Sequence, residues 1–127
     1  MEKDQVIQSV IATYAIPANE RRHSVPVTLR TGQTCQISGN GQWLSHPHGS
    51  EGWCGIAGNG VPASGGHTVP GAAEGCLVIF RDGNVLDHFT SDAQTITITG
   101  PGALSFGCND DNFSDNQGTI TVTLDIG

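Results

Sequence analysis

Gly118-Thr119-Ile120-Thr121-Val122-Thr123-Leu124-Asp125-Ile126 is the stretch that decides the fold class. Ile120, Val122, Leu124 and Ile126 alternate with Thr119, Thr121, Thr123 and Asp125. Successive side chains of a strand point to opposite faces, so this run places four apolar groups on one side and polar ones on the other. Working backward, Leu104, Phe106 and Cys108 follow the Gly100-Pro101-Gly102 turn, and Ile96 and Ile98 alternate with threonines. Cys76-Leu77-Val78-Ile79-Phe80 is continuously apolar, which predicts a strand covered on both faces, and Arg81-Asp82-Gly83-Asn84 reads as a turn. Val25, Val27 and Leu29 alternate with Pro26, Thr28 and Arg30 before Thr31-Gly32 leads into Cys35 and Ile37, which predicts a hairpin with Pro26 on an edge strand or at its start. Gly39 to Gly75 is rich in Gly, Pro, Ser and His and reads as one long loop, interrupted by Trp43-Leu44. Short strands at this spacing predict an all-β fold, a small antiparallel β-sandwich of jelly-roll type. At the other end, Val6, Ile7, Val10, Ile11 and Tyr14 share a face at helical spacing, predicting a short amphipathic helix that ends before Pro17. Residues 1–15 are therefore read as an N-terminal appendage and residues 16–127 as the sandwich domain.

The 127 residues suit one domain with one core. Only 13% are charged, and the 18 glycines serve turns better than helices. Twelve acidic against five basic residues leave a net charge of −7, which argues against nucleic acid, whose phosphates call for clustered Lys and Arg. No run approaches the ~20 apolar residues of a membrane-spanning helix. Met1-Glu2-Lys3-Asp4 lacks the basic-then-apolar pattern of a secretory leader, so none is expected. Cys35, Cys54, Cys76 and Cys108 form no Cys-x-x-Cys pair; they read as core hydrophobes, with two disulfides open to an exported protein.

The chemistry concentrates between the last two strands. In Asn109-Asp110-Asp111-Asn112-Phe113-Ser114-Asp115-Asn116-Gln117-Gly118, eight of the ten side chains can offer an oxygen. Calcium takes about six to eight oxygen ligands, and a bound cation would relieve the mutual repulsion of the carboxylates. An EF-hand is excluded: counted from Asp110, its glycine and glutamate positions fall on Asp115 and Thr121. The alternative is a solvated turn, since Asp and Asn are ordinary turn formers.

Gly102-Ala103-Leu104-x-Phe106-x-Cys108-Asn109-Asp110 followed by Asp115-Asn116-Gln117-Gly118-Thr119-x-Thr121-Val122 resembles the PA-IL type galactose-binding lectins. Gly75-Cys76-Leu77-Val78 looks like that family's Gly-Ala-Leu-Val strand, and Trp43-Leu44-Ser45-His46 like its Gly-Trp-x-x-Tyr corner. The resemblance covers about Ile16 to Gly127 and implies a galactose-binding-like sandwich. It implies a calcium ion held by Asp110, Asp115 and Asn116, with backbone carbonyls of His46 and of a residue near Asn112. It further implies that vicinal hydroxyls of a terminal galactose reach the ion and the side chains of Asp110, Asp115 and Asn116, beside His46. Trp53, flanked by Gly52 and Cys54, is the better tryptophan for stacking on a sugar, whereas Trp43 reads as core. His67-Thr68-Val69-Pro70 lies near, but out of line with, the family's His-Pro-x-Gln contact. The family's tetramers imply a homo-oligomer, dimer or tetramer, with the C-terminal strand at the contact. The departures are a shorter loop between Asp110 and Asp115 and His46 in place of the aromatic corner residue.

Other chemistries fit less well. His46-Pro47-His48 with Cys54 and His67 lacks a second ligand pair at zinc spacing. No Gly-x-Ser-x-Gly occurs, and Asp110 with Asp115 could imitate a glycosidase pair only without an ion, so the chain is read as a binding protein and not an enzyme. Gly55-Ile56-Ala57-Gly58-Asn59-Gly60 has no phosphate-loop Lys-Ser/Thr. Asn112-Phe113-Ser114 matches a glycosylation acceptor by composition only. The remaining alternative is a calcium-stabilised structural or adhesion module that binds no sugar.

Overall fold

The computed structural model describes residues 10–45 and 52–127, and among them every regular element is a strand. The run that opened the sequence argument is β8 (Gln117–Ile126), in which Ile120, Val122 and Leu124 have no exposed surface. It is flanked on both sides, by β1 (Val10–Pro17) and by β3 (Thr34–Leu44), each antiparallel to it. β6 (Ile96–Thr99) completes this four-stranded sheet in the order β1-β8-β3-β6. The second sheet runs β2-β7-β4-β5, from β2 (His23–Leu29), β7 (Gly102–Cys108), β4 (Leu77–Arg81) and β5 (Asn84–His88). Ile16, Ile37, Trp43 and Ile120 of one sheet meet Leu29, Leu77, Ile79, Leu104 and Phe106 of the other in a single core. Fully burying an aliphatic side chain of this size is worth about 1.5–3 kcal/mol, so the alternating faces drive the two sheets together.

Three expectations are corrected. The N-terminal helix does not form over the described part of its span: Val10–Pro17 pairs residue for residue with β8, from Val10↔Ile126 to Pro17↔Thr119. Val10, Ala12, Tyr14 and Ile16 keep a period of two, in which Val10 and Tyr14 of the helical face also fit, and the otherwise bare edge of β8 supplies a ladder that an isolated helix lacks. Residues 10–15, set apart as an appendage, thus belong to a sheet, while Val6 and Ile7 lie outside the described residues. Second, β2 and β3 are not a hairpin. β2 joins β7, β3 joins β6 and β8, and the Thr31-Gly32 turn carries the chain from one sheet to the other. Pro26 falls where the β2–β7 register shifts, and β2 is an edge strand, as a residue without an N–H requires. Third, the long loop starts later, because Gly39 to Leu44 continue β3, pairing from Gly39↔Val122 to Leu44↔Gln117.

β4 is covered on both faces, as its apolar run predicts. Leu77 and Ile79 enter the main core, while Cys76, Val78 and Phe80 pack beneath Val69, Ala72 and Ala73 of the returning loop. The β4–β5 turn, Asp82-Gly83, has positive φ at both residues (50° and 81°), the left-handed pair that matches strand twist in a two-residue hairpin. All four cysteines are free and buried. Among the described residues no helix is long and apolar enough to cross a membrane.

Candidate functional site

β7 ends in one sheet and β8 begins in the other, so residues 109–116 cross one end of the sandwich. Asn109, fully buried, is the anchor of this crossing. Its side-chain carbonyl accepts from the Val69 N–H (2.8 Å), and its amide nitrogen donates to the carbonyls of Val69 (3.0 Å) and Ala73 (3.1 Å). Its backbone closes the junction further, donating to Cys76 O at 2.9 Å and accepting from Gly75 N at 2.8 Å. One side chain thereby fastens the 66–75 segment against the crossing loop and carries His67 and Glu74 to Asp110. His67 is 7% exposed. Its Nε2 stands 3.5 Å from Glu74 Oε2 and 3.9 Å from Asp110 Oδ1, and its Nδ1 is 3.2 Å from Ser64 Oγ. Ligating atoms of His67, Asp110 and Asp111 lie within 4.8 Å of one another.

Asp110 and Asn116 hold the two oxygens that matter most. Asp110 is 5% exposed; its Oδ1 accepts from the Asp111 N–H at 2.8 Å and, more weakly, from Asn112 N at 3.5 Å. Asn116 donates its amide to Ala18 O at 2.9 Å, which fixes the orientation of the group and turns its carbonyl oxygen the other way. Asp110 Oδ2 and Asn116 Oδ1 are both buried and both lack a hydrogen-bond partner. Burial pushes the Asp110 carboxyl above its ordinary range, partly offset by the neighbouring Asn116 amide and the N–H groups of Asp111 and Asn112. Two buried acceptors without donors are costly, and each is the kind of oxygen that a hard cation takes as a ligand. In donor chemistry, carboxylate and carboxamide oxygens, this loop is compatible with a calcium-type ion.

The other expected residues fall in different places. The Asn112 side chain is engaged within the loop, its Oδ1 accepting from Ser114 N (3.2 Å) and Ser114 Oγ (2.9 Å). Asp115 is partly buried in the same loop but lies outside the His67–Asp110–Asp111 group. His46, with Pro47 and His48, lies outside the described residues. Trp43 is core, its indole N–H donating to Gly75 O at 2.6 Å. Trp53 is 49% exposed, and its ring covers Gly118: a Cβ there would stand 2.6 Å from Trp53 Cζ3. Gly118, at φ +87°, is the only kind of residue that admits the ring at this place. Sequence reasoning assigned no role to Asn109, Asp111 or Glu74. A buried Asn at a strand end, next to an acidic loop, is the signal that could have found the first; nothing local marks Glu74.

Two four-stranded antiparallel sheets, bridged at one end by an oxygen-rich loop, make this an antiparallel β-sandwich. Among solved structures the chain is similar to one described as "EclA N-terminal domain; PllA-like lectin", with a TM-score of 0.66 at 14% identity, over 94% of this chain and 98% of that one. No protein-family model matches the sequence, and no curated protein matches it.

Proposed function

We propose that the protein is a carbohydrate-binding lectin that engages its sugar through a calcium ion seated at Asp110 and Asn116. The observation that carries this reading is the pair of buried, unpartnered oxygens, Asp110 Oδ2 and Asn116 Oδ1. The likeness in fold to a PllA-like lectin and the sequence resemblance to the PA-IL type galactose binders support it. Bound calcium supplies open coordination positions that two vicinal hydroxyls of a galactose-type sugar can fill. Asp110 and Asn116 provide the fixed oxygens, and Asp115 and the backbone near Asn112 are the loop's further donors. His46 belongs to the same proposed set on the resemblance alone. Asp110 also accepts from a hydroxyl proton, which makes the site read hydroxyl stereochemistry. His67, held by Ser64 and flanked by Glu74, forms in this reading the buried wall beside Asp110.

A galactose-agarose column run with calcium and again with chelator tests the reading. Calcium-dependent retention, lost in Asp110→Ala, is the expected result. Calcium-induced stabilisation without retention on galactose or on any sugar of a glycan array would replace the lectin with the structural-module alternative.

A further inference from the structure

Trp53 and a polar cleft beside it form a feature that the calcium site does not use. β6 pairs with β3 only as far as Ile37↔Ile96, and the next partner on that edge is Cys54, which bridges Trp43 through hydrogen bonds of 3.0 and 2.9 Å. Between them the edge of β3 opens onto a cleft of about 200 Å³ lined by Asn40, Gln42, Gly55 and Asp92 among others. Asp92 is fixed there through one oxygen, Oδ1, which accepts from the Ala57 N–H at 2.9 Å, leaving the other for a ligand. Asn40 and Gln42 are exposed.

Trp53 and Gly55 stand two residues apart on the strand-like segment centred on Cys54, so they share a face, about 6–7 Å apart along the chain. The indole reaches over Gly118, where a Cβ would stand 2.6 Å from its Cζ3, and half of its surface stays exposed. A half-exposed indole on the same face as two carboxamides and a carboxylate matches the chemistry of a pyranose: one apolar C–H face and a rim of hydroxyls that both donate and accept. The lining residues include no Lys, Arg or His, which disfavours phosphate or nucleic acid.

We propose that this outer face of the β1-β8-β3-β6 sheet carries a second saccharide site, independent of calcium. Trp53 stacks on one sugar ring, and Asn40, Gln42 and Asp92 bind hydroxyls of that ring or the next. The choice of a saccharide rests on the carbohydrate-binding reading above; the position of the site and its independence from calcium do not. The protein then grips a glycan at two places, and extended oligosaccharides are its preferred ligands over monosaccharides.

The test is an amide- and indole-resolved NMR titration of the full chain with methyl β-galactoside, lactose and cellotriose at tens of millimolar, in chelator and in calcium. In chelator, the Trp53 indole N–H and the side-chain amides of Asn40 and Gln42 are expected to shift, most with the longer sugars. Trp53→Ala and Asn40→Ala should each remove those shifts; Asn40 is exposed, so its variant keeps the test decisive even where Trp53→Ala folds poorly. Absence of these shifts with all three sugars overturns the proposal, and so do shifts that appear only in calcium, which would assign Trp53 to the first site. Shifts of Asp110 and Asn116 in calcium report the first site separately, so either site can fail without the other.

Discussion

Asp110→Asn removes one negative charge and keeps the shape of the side chain, and its two consequences run in opposite directions. In the metal-free protein the wild-type carboxylate is buried, with Oδ2 unpartnered beside Asn116. The substituted amide carries no charge to desolvate. Removing a buried charge relieves its desolvation, so the metal-free variant should melt at or above the wild-type temperature. With calcium the order reverses. A cation at one hundred times its Kd stabilises the native state by about 2.7 kcal/mol, which for a domain of this size raises Tm by roughly 10 °C. Asp110→Asn should lose most of that rise, because the charged ligand is gone. Differential scanning fluorimetry on chelator-stripped protein, with and without millimolar calcium, measures both arms. A variant that melts well below wild type without metal, or that keeps the full calcium response, would refute the assignment of Asp110.

Three further outcomes follow from the same structure. The Asp110 carboxyl is held above its ordinary value by burial, so the metal-free protein keeps this contribution to stability below the unfolded value of 3.8 and loses it as pH rises through the folded value. The calcium-induced rise in Tm should therefore grow over that window, and a response flat from acid to neutral pH contradicts it. Burial pushes the thiols of Cys35 and Cys54 up to about 11 and that of Cys76 up to about 12, with Cys108 raised as well. Native protein should thus leave Ellman's reagent unreacted at neutral pH, with all four thiols released in denaturant; a fast-reacting native thiol speaks against the buried placement. Self-association is expected as a symmetric dimer or tetramer, and light scattering after size exclusion should give a multiple of 13.2 kDa, a monomer mass refuting it. β1 and β3 occupy both edges of β8, so the strand's own edge is not free for such a contact.

What could be read from the sequence depended on whether the deciding partner is local. β8 was legible because alternation alone separates its buried isoleucine, valine and leucine from its threonines, whichever strands flank it. The same alternation in Val25–Leu29 and Cys35–Ile37 told which side chains face inward but not that the two strands belong to opposite sheets, since both arrangements bury the same residues. In Val10–Pro17, helical and strand periods overlap, and only the edge of β8, more than a hundred residues onward in the chain, decides between them. The site divides in the same way. Asp110 and Asn116 stood out because oxygen-bearing residues crowd one short loop, and the pattern needs nothing from elsewhere. His67 was noticed only by its neighbours in sequence, and Glu74 not at all, because what brings them to Asp110 is the side chain of Asn109, forty residues from the Val69 that it holds. An asparagine at the end of a strand looks like a turn former in sequence; with both halves of its amide bonded to a distant loop, it fixes where the second wall of the site stands. Asn109→Ala should accordingly loosen the 66–75 segment and free His67 from Asp110 while leaving the 109–116 loop's own oxygens in place. The division between local and distant determinants therefore runs through the site itself, between the proposed cation seat and the wall that faces it.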